Sequence, residues 1–328
     1  MKRKYSVFIG NVGTCFDRHC PKYSDKEYSY SELFDRVASI DLVTGVDLVT
    51  EKDFYDNIDA VRKGLARTKL KVASIVVNLF GQPLYKQGSF SSVDPKARKQ
   101  ALEDTLRTKD IAEEFGCEFI TIWPGQDGWD YHFQADYAQE RTWFADGVRA
   151  ACEYKPKIGV ALEYKIREPR AHNYINTVGN TILTVKEVNR PNCGIALDIG
   201  HSFFSYENSA ESVALIHKWG GNLMHMHMND NYSSSDDDLM VGTVHTIEFL
   251  EFIYWIRKTG YNGWFTMDQF PYREDGRDAI DESTRWFDAL ETVMDNANMD
   301  EIADVLKKKD AVLSSKLMRK LLFPAYRK

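Results

Sequence analysis

Four strand-like runs in the second half of the chain end in side chains that bind metal ions: Glu163 in ALEYK, Asp198 in ALDIGH, His227 in MHMHMND and Asp268 in TMDQF. Three carboxylates and one imidazole make a hard, mostly oxygen ligand set. Such a set suits Mn²⁺, Mg²⁺ or Co²⁺ better than a thiolate-seeking metal. In MHMHMND the histidines alternate with methionines, so on a strand both histidines face one way. His227 lies nearer the C-terminal end and is the expected ligand, with His225 a hydrogen-bonded residue of the layer beneath it. Any one such residue, taken alone, is more often a helix N-cap or a salt-bridge partner. Their recurrence on four successive strands is what points to a single ion.

More polar residues flank these four. Lys165 follows Glu163 by two positions and shares its face. His201 follows Asp198 by three and is a candidate for a second ion or a substrate oxygen. The loop NDNYSSSDDDLMVG after His227 brings Asp236, Asp237 and Asp238. An acidic, Ser-rich loop is usually just solvated. Beside a metal-binding histidine, however, an imidazole and two alternate carboxylates are a candidate second, weaker metal site with room for water and substrate.

Residues this far apart in sequence can surround one ion only if the fold brings strand ends together. Short β-rich runs recur near residues 8, 48, 76, 120, 162, 197, 226 and 267, which makes eight. Between them lie segments of helical period. In DPKARKQALEDTLRTKDIAEEFG, Asp94 can N-cap, Pro95 takes the first helical position and Gly116 follows the last turn. Ala101, Thr105, Thr108, Ala112 and Phe115 form its inward stripe. A strand followed by a helix, eight times over, predicts an α/β chain folded as a (β/α)8 barrel, whose C-terminal strand ends share one mouth. An open doubly wound sheet is the alternative, but no GxGxxG follows the first strand.

The barrel is expected over residues 1–298, with a C-terminal helical extension over 299–328. There Ile302, Val305, Leu306, Leu313, Leu317 and Leu321 recur at the spacing of one terminal helix packed on the barrel or on another subunit, and the KKK run forms its solvated face.

At 328 residues, with 43% hydrophobic and 28% charged residues, the chain is globular with ample material for a core. A formal charge of −7 gives no footprint for nucleic acid or for acidic membranes, which leaves a small-molecule ligand. No stretch is long and apolar enough for a signal peptide or a membrane span, so a cytoplasmic location is expected. The five cysteines (Cys15, Cys20, Cys117, Cys152, Cys193) are odd in number and lack CxxC spacing. That disfavours both a disulfide framework and a cysteine zinc site, and Cys117, Cys152 and Cys193 read as core or surface thiols.

These motifs resemble the xylose isomerase-like barrel superfamily, and within it the bacterial L-rhamnose isomerases of the Pseudomonas type. EYKIREP is similar to that group's EYKxFEP, DIGH to its D-x-x-H, HMND followed by DDDL to its metal histidine and acidic loop, and MDQ to its I-D-Q. YKQGSFSSVDPKAR and FITIWPGQDG are similar to its upstream stretches, so the match runs from about residue 85 to 275. The resemblance implies that Glu163, Asp198, His227 and Asp268 hold a structural metal gripping two sugar hydroxyls. It implies further that His201, Asp236 and Asp238 hold a catalytic metal, that Lys165 touches a substrate oxygen and that Trp123 forms an apolar wall.

The activity this implies is a metal-dependent aldose–ketose isomerase with a hydride shift between C1 and C2, Mn²⁺ the first choice of ion, acting on a monosaccharide as a homo-oligomer (tetramer or dimer). The related ketose 3-epimerases use two glutamates on opposite faces of the sugar. The last-strand position here is Asp268, which reaches an ion but less readily a carbon, and this favours the isomerase. A hydrolase of the endonuclease IV-like kind and a non-catalytic sugar-binding protein are the other readings. Trp129, Phe90 and Phe270 are expected to pack in the core or loops, and His19, His132 and His245 to serve at the surface or in caps.

Overall fold

The computed structural model describes residues 3–325, apart from residues 18 and 22. Its strands are β1 (Tyr5–Phe8), β2 (Val43–Val49), β3 (Lys71–Val76), β4 (Phe119–Ile122), β5 (Gly128–Trp129), β6 (Gly159–Glu163), β7 (Arg167–Glu168), β8 (Ala171–Asn173), β9 (Cys193–Asp198), β10 (Leu223–Met228) and β11 (Phe265–Met267). Eight of these pair in parallel and close on themselves in the order β1-β11-β10-β9-β6-β4-β3-β2. All eight runs read as strands from the sequence are staves of this barrel. The (β/α)8 expectation holds.

The helices are α1 (Tyr30–Ala38), α2 (Lys52–Asp56), α3 (Ile58–Thr68), α4 (Pro95–Phe115), α5 (Tyr137–Glu153), α6 (Val178–Val188), α7 (Ile199–Phe204), α8 (Ser209–Trp219), α9 (Thr246–Thr259), α10 (Gly276–Asp295), α11 (Met299–Lys308) and α12 (Ala311–Leu322). α4 begins and ends where its sequence signals place it. The Asp94 side chain accepts from Lys96 N–H, Pro95 is the first helical residue, and Gly116 closes the helix in the left-handed region. Among the described residues, no helix is long and apolar enough to cross a membrane.

Strand pleating sorts the residues into two environments. On β6, β9 and β10, Leu162, Leu197 and Met226 belong to the apolar core shared with the helices. Their alternates point down the barrel axis. That interior is polar for much of its height: Ser6 meets Thr266, Ser74 meets Thr121, and Asp47 meets His225. At the floor, Phe119, Ala161 and Ala196 form a small separate apolar cluster with Met224 beside it.

Two elements differ from the sequence reading. The C-terminal segment is two helices, not one, because Lys309 takes a left-handed conformation (φ 54°) and Asp310 starts a new N-cap whose side chain accepts from Val312 and Leu313 N–H. Ile302 is buried, Leu317 and Leu321 pack half-buried on the core, and Leu306 is exposed. A small antiparallel sheet in the order β5-β8-β7 also follows the ends of β4 and β6. Two- and three-residue strands carry too little period to be read in advance.

Candidate metal centre

Glu163 is the last residue of β6, Asp198 the last of β9, His227 lies on β10, and Asp268 follows β11 directly. The parallel register sets Asp198 beside His227 and His227 beside Thr266, two residues before Asp268. One ligand atom from each of Glu163, Asp198, His227 and Asp268 lies within 4.8 Å of all the others. His227 Nδ1 is 3.2 Å from Glu163 Oε2 and 3.6 Å from Asp268 Oδ2. Glu163, Asp198 and His227 are buried and Asp268 is nearly so. Asp198 also serves as the N-cap of α7, accepting from His201 N–H at 2.8 Å, so capping and clustering act together here.

Three carboxyl groups in so small a dry space raise one another's proton affinity. Burial, with the charges of Asp198 and Glu163, pushes the Asp268 carboxyl up to about 8, although His227 opposes it. Burial also pushes Asp198 up to about 6. Glu163 stays low despite its burial because His227, His201 and Lys165 face it. Burial alone would depress His227, yet Glu163, Asp47 and Asp268 lift it well above the ordinary imidazole value. Two imidazoles thus carry the positive charge that the cluster demands. His227 Nδ1 and His201 Nδ1 are nevertheless buried without a hydrogen bond among the described residues, as is one oxygen of Asp236. A divalent cation fits the set Glu163, Asp198, His227 and Asp268: it would offset the carboxylates and engage the unpartnered His227 Nδ1.

The residues expected at a second ion lie next door. His201 Nδ1 is 3.3 Å from Glu163 Oε1, and its Nε2 is 3.2 Å from Asp236 Oδ2. Burial opposes its charge, but Asp198 and Asp236 push His201 up to about 9. Asp238 takes a left-handed conformation (φ 47°), and burial together with Asp236 and Asp268 raises its carboxyl well above the carboxylate range. Among the described residues His201, Asp236 and Asp238 do not gather as closely as the first four. Asp237 serves its own loop, accepting from Tyr232 N–H and Ser235 Oγ.

Lys165 Nζ sits 2.7 Å from Asp236 Oδ2, pairs with Glu168, and lies 5.2 Å from the centre of the Trp123 ring. These partners hold its pKa above the ordinary lysine value in spite of burial. Trp123 in turn meets Phe80 edge to face at 4.6 Å. The aromatics given packing roles divide: Phe90 is buried against Phe144 and Trp129 stacks on His172, but Phe270 is 39% exposed. His19 and His132 are exposed. His245 is the N-cap residue of α9, although its side chain caps nothing. Its Nδ1 lies 2.7 Å from the buried Asp230 and its ring stacks on Phe203, because Asp230 needs donors and takes the Val244 and His245 N–H groups as well.

Two residues of this neighbourhood escaped the sequence reading. Asn229 donates to both Asp198 oxygens, at 3.1 and 3.3 Å. Its place two residues after His227, on the same face, was the available signal. Asp47 approaches both His225 and His227 from β2. A lone carboxylate inside GVDLVT was the only hint.

A family model described as "Xylose isomerase-like TIM barrel" matches residues 34–290. The chain belongs to that family. Among curated relatives, the xylose isomerase of Thermus thermophilus is 29% identical over 225 residues and that of Thermus caldophilus 28% identical over 238. Each match takes in 67% of this chain, which spans only 58% of either relative's length. Solved structures of this xylose isomerase-like fold include a D-tagatose 3-epimerase-like protein (18% identity, TM-score 0.68, 89% of this chain and 98% of that one). A D-allulose 3-epimerase from Methylomonas sp., in complex with D-allulose, has 16% identity and a TM-score of 0.67 over 88% of this chain and 96% of its own.

Proposed function

We propose that this protein is a divalent-metal-dependent aldose–ketose isomerase of a free monosaccharide, of the L-rhamnose isomerase kind. The observation that supports it most is the buried set Glu163, Asp198, His227 and Asp268, whose ligand atoms approach within 4.8 Å. Those four would hold one ion, with Mn²⁺ ahead of Mg²⁺ and Co²⁺, and His201, Asp236 and Asp238 would hold a second. When bound, such ions supply Lewis-acid polarisation of a sugar carbonyl and its neighbouring hydroxyl.

Isomerisation moves one hydrogen between C1 and C2 and one proton between O1 and O2. The chain's own groups serve the positioning. Lys165, kept protonated by Asp236 and Glu168, donates to a sugar oxygen. His201, 3.2 Å from Asp236, orients that carboxylate at the second site and is not itself the proton carrier. Trp123 supplies a flat wall that keeps water from the reacting carbons. The lysine charge is already matched by two carboxylates and leaves no surplus for a phosphate, so a neutral sugar is the substrate class. We read the protein as a cytoplasmic homo-oligomer, dimer or tetramer, which sedimentation velocity tests.

Ketose 3-epimerisation is the second reading, since several proteins of this fold carry that name. It requires a carboxylate to reach C3, and Asp268 is one methylene shorter than a glutamate there. The experiment is turnover of an aldose and ketose panel by metal-stripped protein, with and without Mn²⁺, followed by NMR in D₂O. The isomerase reading expects Mn²⁺-dependent aldose–ketose conversion with little deuterium gained at carbon. Deuterium at C3 of a ketose supports the epimerase, and no conversion with any sugar overturns both.

A further inference from the structure

Beneath the Glu163–Asp198–His227–Asp268 set lies a polar layer that none of this chemistry uses. Asp47 on β2 is completely buried, as are His225, His227 and Thr266. Asp47 Oδ2 accepts from His225 Nε2 at 2.7 Å and Oδ1 accepts from Thr266 Oγ1 at 2.9 Å, while Thr266 Oγ1 lies 2.5 Å from Ser6 Oγ. The same Oδ2 is 3.6 Å from His227 Nε2, an atom with no hydrogen bond among the described residues. The other ring nitrogen, Nδ1, faces Glu163 and Asp268. One imidazole therefore stands between Asp47 on one side and Glu163 with Asp268 on the other, with a nitrogen turned to each.

The ligand atoms of Asp47, His225 and His227 also lie close together. A separation of 2.7 Å between Nε2 and Oδ2 is that of a hydrogen bond, and Thr266 and Ser6 extend it into a network, so the Asp47 carboxylate is already held without an ion, while His227 Nε2 beside it is left without a partner. An imidazole that ligates through one nitrogen keeps a proton on the other, and in a dry interior that N–H needs an acceptor. We infer that Asp47 is this acceptor: it fixes His227 with its proton on Nε2 and its Nδ1 lone pair aimed at the ion, and its charge strengthens His227 as a ligand. The inference rests on the metal centre proposed above. Asp47 touches neither ion nor sugar and is a positioning residue, itself oriented by His225 and Thr266.

The test is the Asp47→Asn variant, which keeps the shape and removes the charge. Mn²⁺ titration of the full chain, with free ion read by electron paramagnetic resonance, should show affinity falling by about 10–100-fold, the usual cost of losing such a partner. In the Mg²⁺-loaded wild type, histidine ¹⁵N spectra should show His227 protonated at Nε2 and bare at Nδ1, and Asp47→Asn should lose that uniform tautomer. A merely structural Asp47 would lower the melting temperature while leaving tautomer and Mn²⁺ affinity unchanged, which overturns the inference. So does a wild-type His227 protonated at Nδ1 in the loaded protein, a result that needs no variant to fold. Tight Mn²⁺ binding indifferent to Asp47→Asn removes the inference and leaves the metal centre. Intact binding and tautomer with no sugar turned over removes the sugar reading and leaves Asp47, whereas a wild type that binds no Mn²⁺ overturns both.

Discussion

Glu163, Asp198 and Asp268 repel one another in a space from which water is nearly excluded, and the metal-free protein relieves this with protons. Asp268, pushed up to about 8, and Asp198, up to about 6, bind protons in the folded chain that an unfolded carboxyl, at roughly 3.9, has already released. His201, raised to about 9, does the same above the ordinary imidazole value of about 6.5. A raised folded pKa means that stability is lost as pH rises through it. Metal-stripped protein should therefore melt at progressively lower temperature from pH 6 to 9 in scanning calorimetry. Saturating Mn²⁺, replacing those protons, should flatten that slope, and an equal slope in both forms would contradict the reading. Glu163 and Asp47, whose folded values are depressed, act in the opposite sense and withdraw stability only at acid pH. For Lys165→Met, kcat should fall by about 10²–10³-fold, as when one donor to a developing charge is removed. Steady-state kinetics checks this, and an unchanged kcat would remove Lys165 from the reaction. Most of these residues were legible because each ends an apolar run in a group that does not belong in one. Asp47 was not, since its meaning depends on β2 closing against β10 through the barrel interior, and no spacing within GVDLVT carries that.

The β9–α7 junction shows how one element positions several groups. Asp198 ends the strand, caps the helix through His201 N–H and is held by Asn229. Gly200 lies between them because a Cβ there would run into Asn229 Oδ1 and crowd Asn231 Nδ2. Gly200→Ala should displace Asn229 from Asp198, destabilise the fold by roughly 1–3 kcal/mol as other overpacked sites do, and weaken Mn²⁺ binding. Urea unfolding and Mn²⁺ titration check it, and wild-type values for both would show that Asn229 gives way without consequence. At this scale the sequence spoke clearly where caps and period agree, as in α4 with Asp94, Pro95 and Gly116. It misled where a break has no glycine or proline to mark it. Lys309 turns the chain left-handed between α11 and α12 with an ordinary side chain, so the apolar spacing ran on as if through one helix.

For the whole molecule, the barrel's closure does the assembling: β6, β9, β10 and β11 are neighbours in order, and their four polar ends fall on one mouth. Eight strand–helix units made that architecture legible in the sequence, while the β5-β8-β7 sheet was too short to announce itself. The C-terminal helices stand apart from the mouth's construction. None of the residues of α12 is buried, whereas α11 contributes Ile302 to the core. A chain ending at Lys309 should keep its fold and its Mn²⁺ affinity, with a small drop in melting temperature, as circular dichroism and Mn²⁺ titration would show. Loss of Mn²⁺ binding on that truncation would tie α12 to the site. Anomalous scattering at the manganese edge, from crystals grown with Mn²⁺, decides whether the four strand ends share one divalent ion. A strong peak enclosed by Glu163, Asp198, His227 and Asp268 is expected; no peak among these residues, or one bound elsewhere, would show that they do not form the metal site.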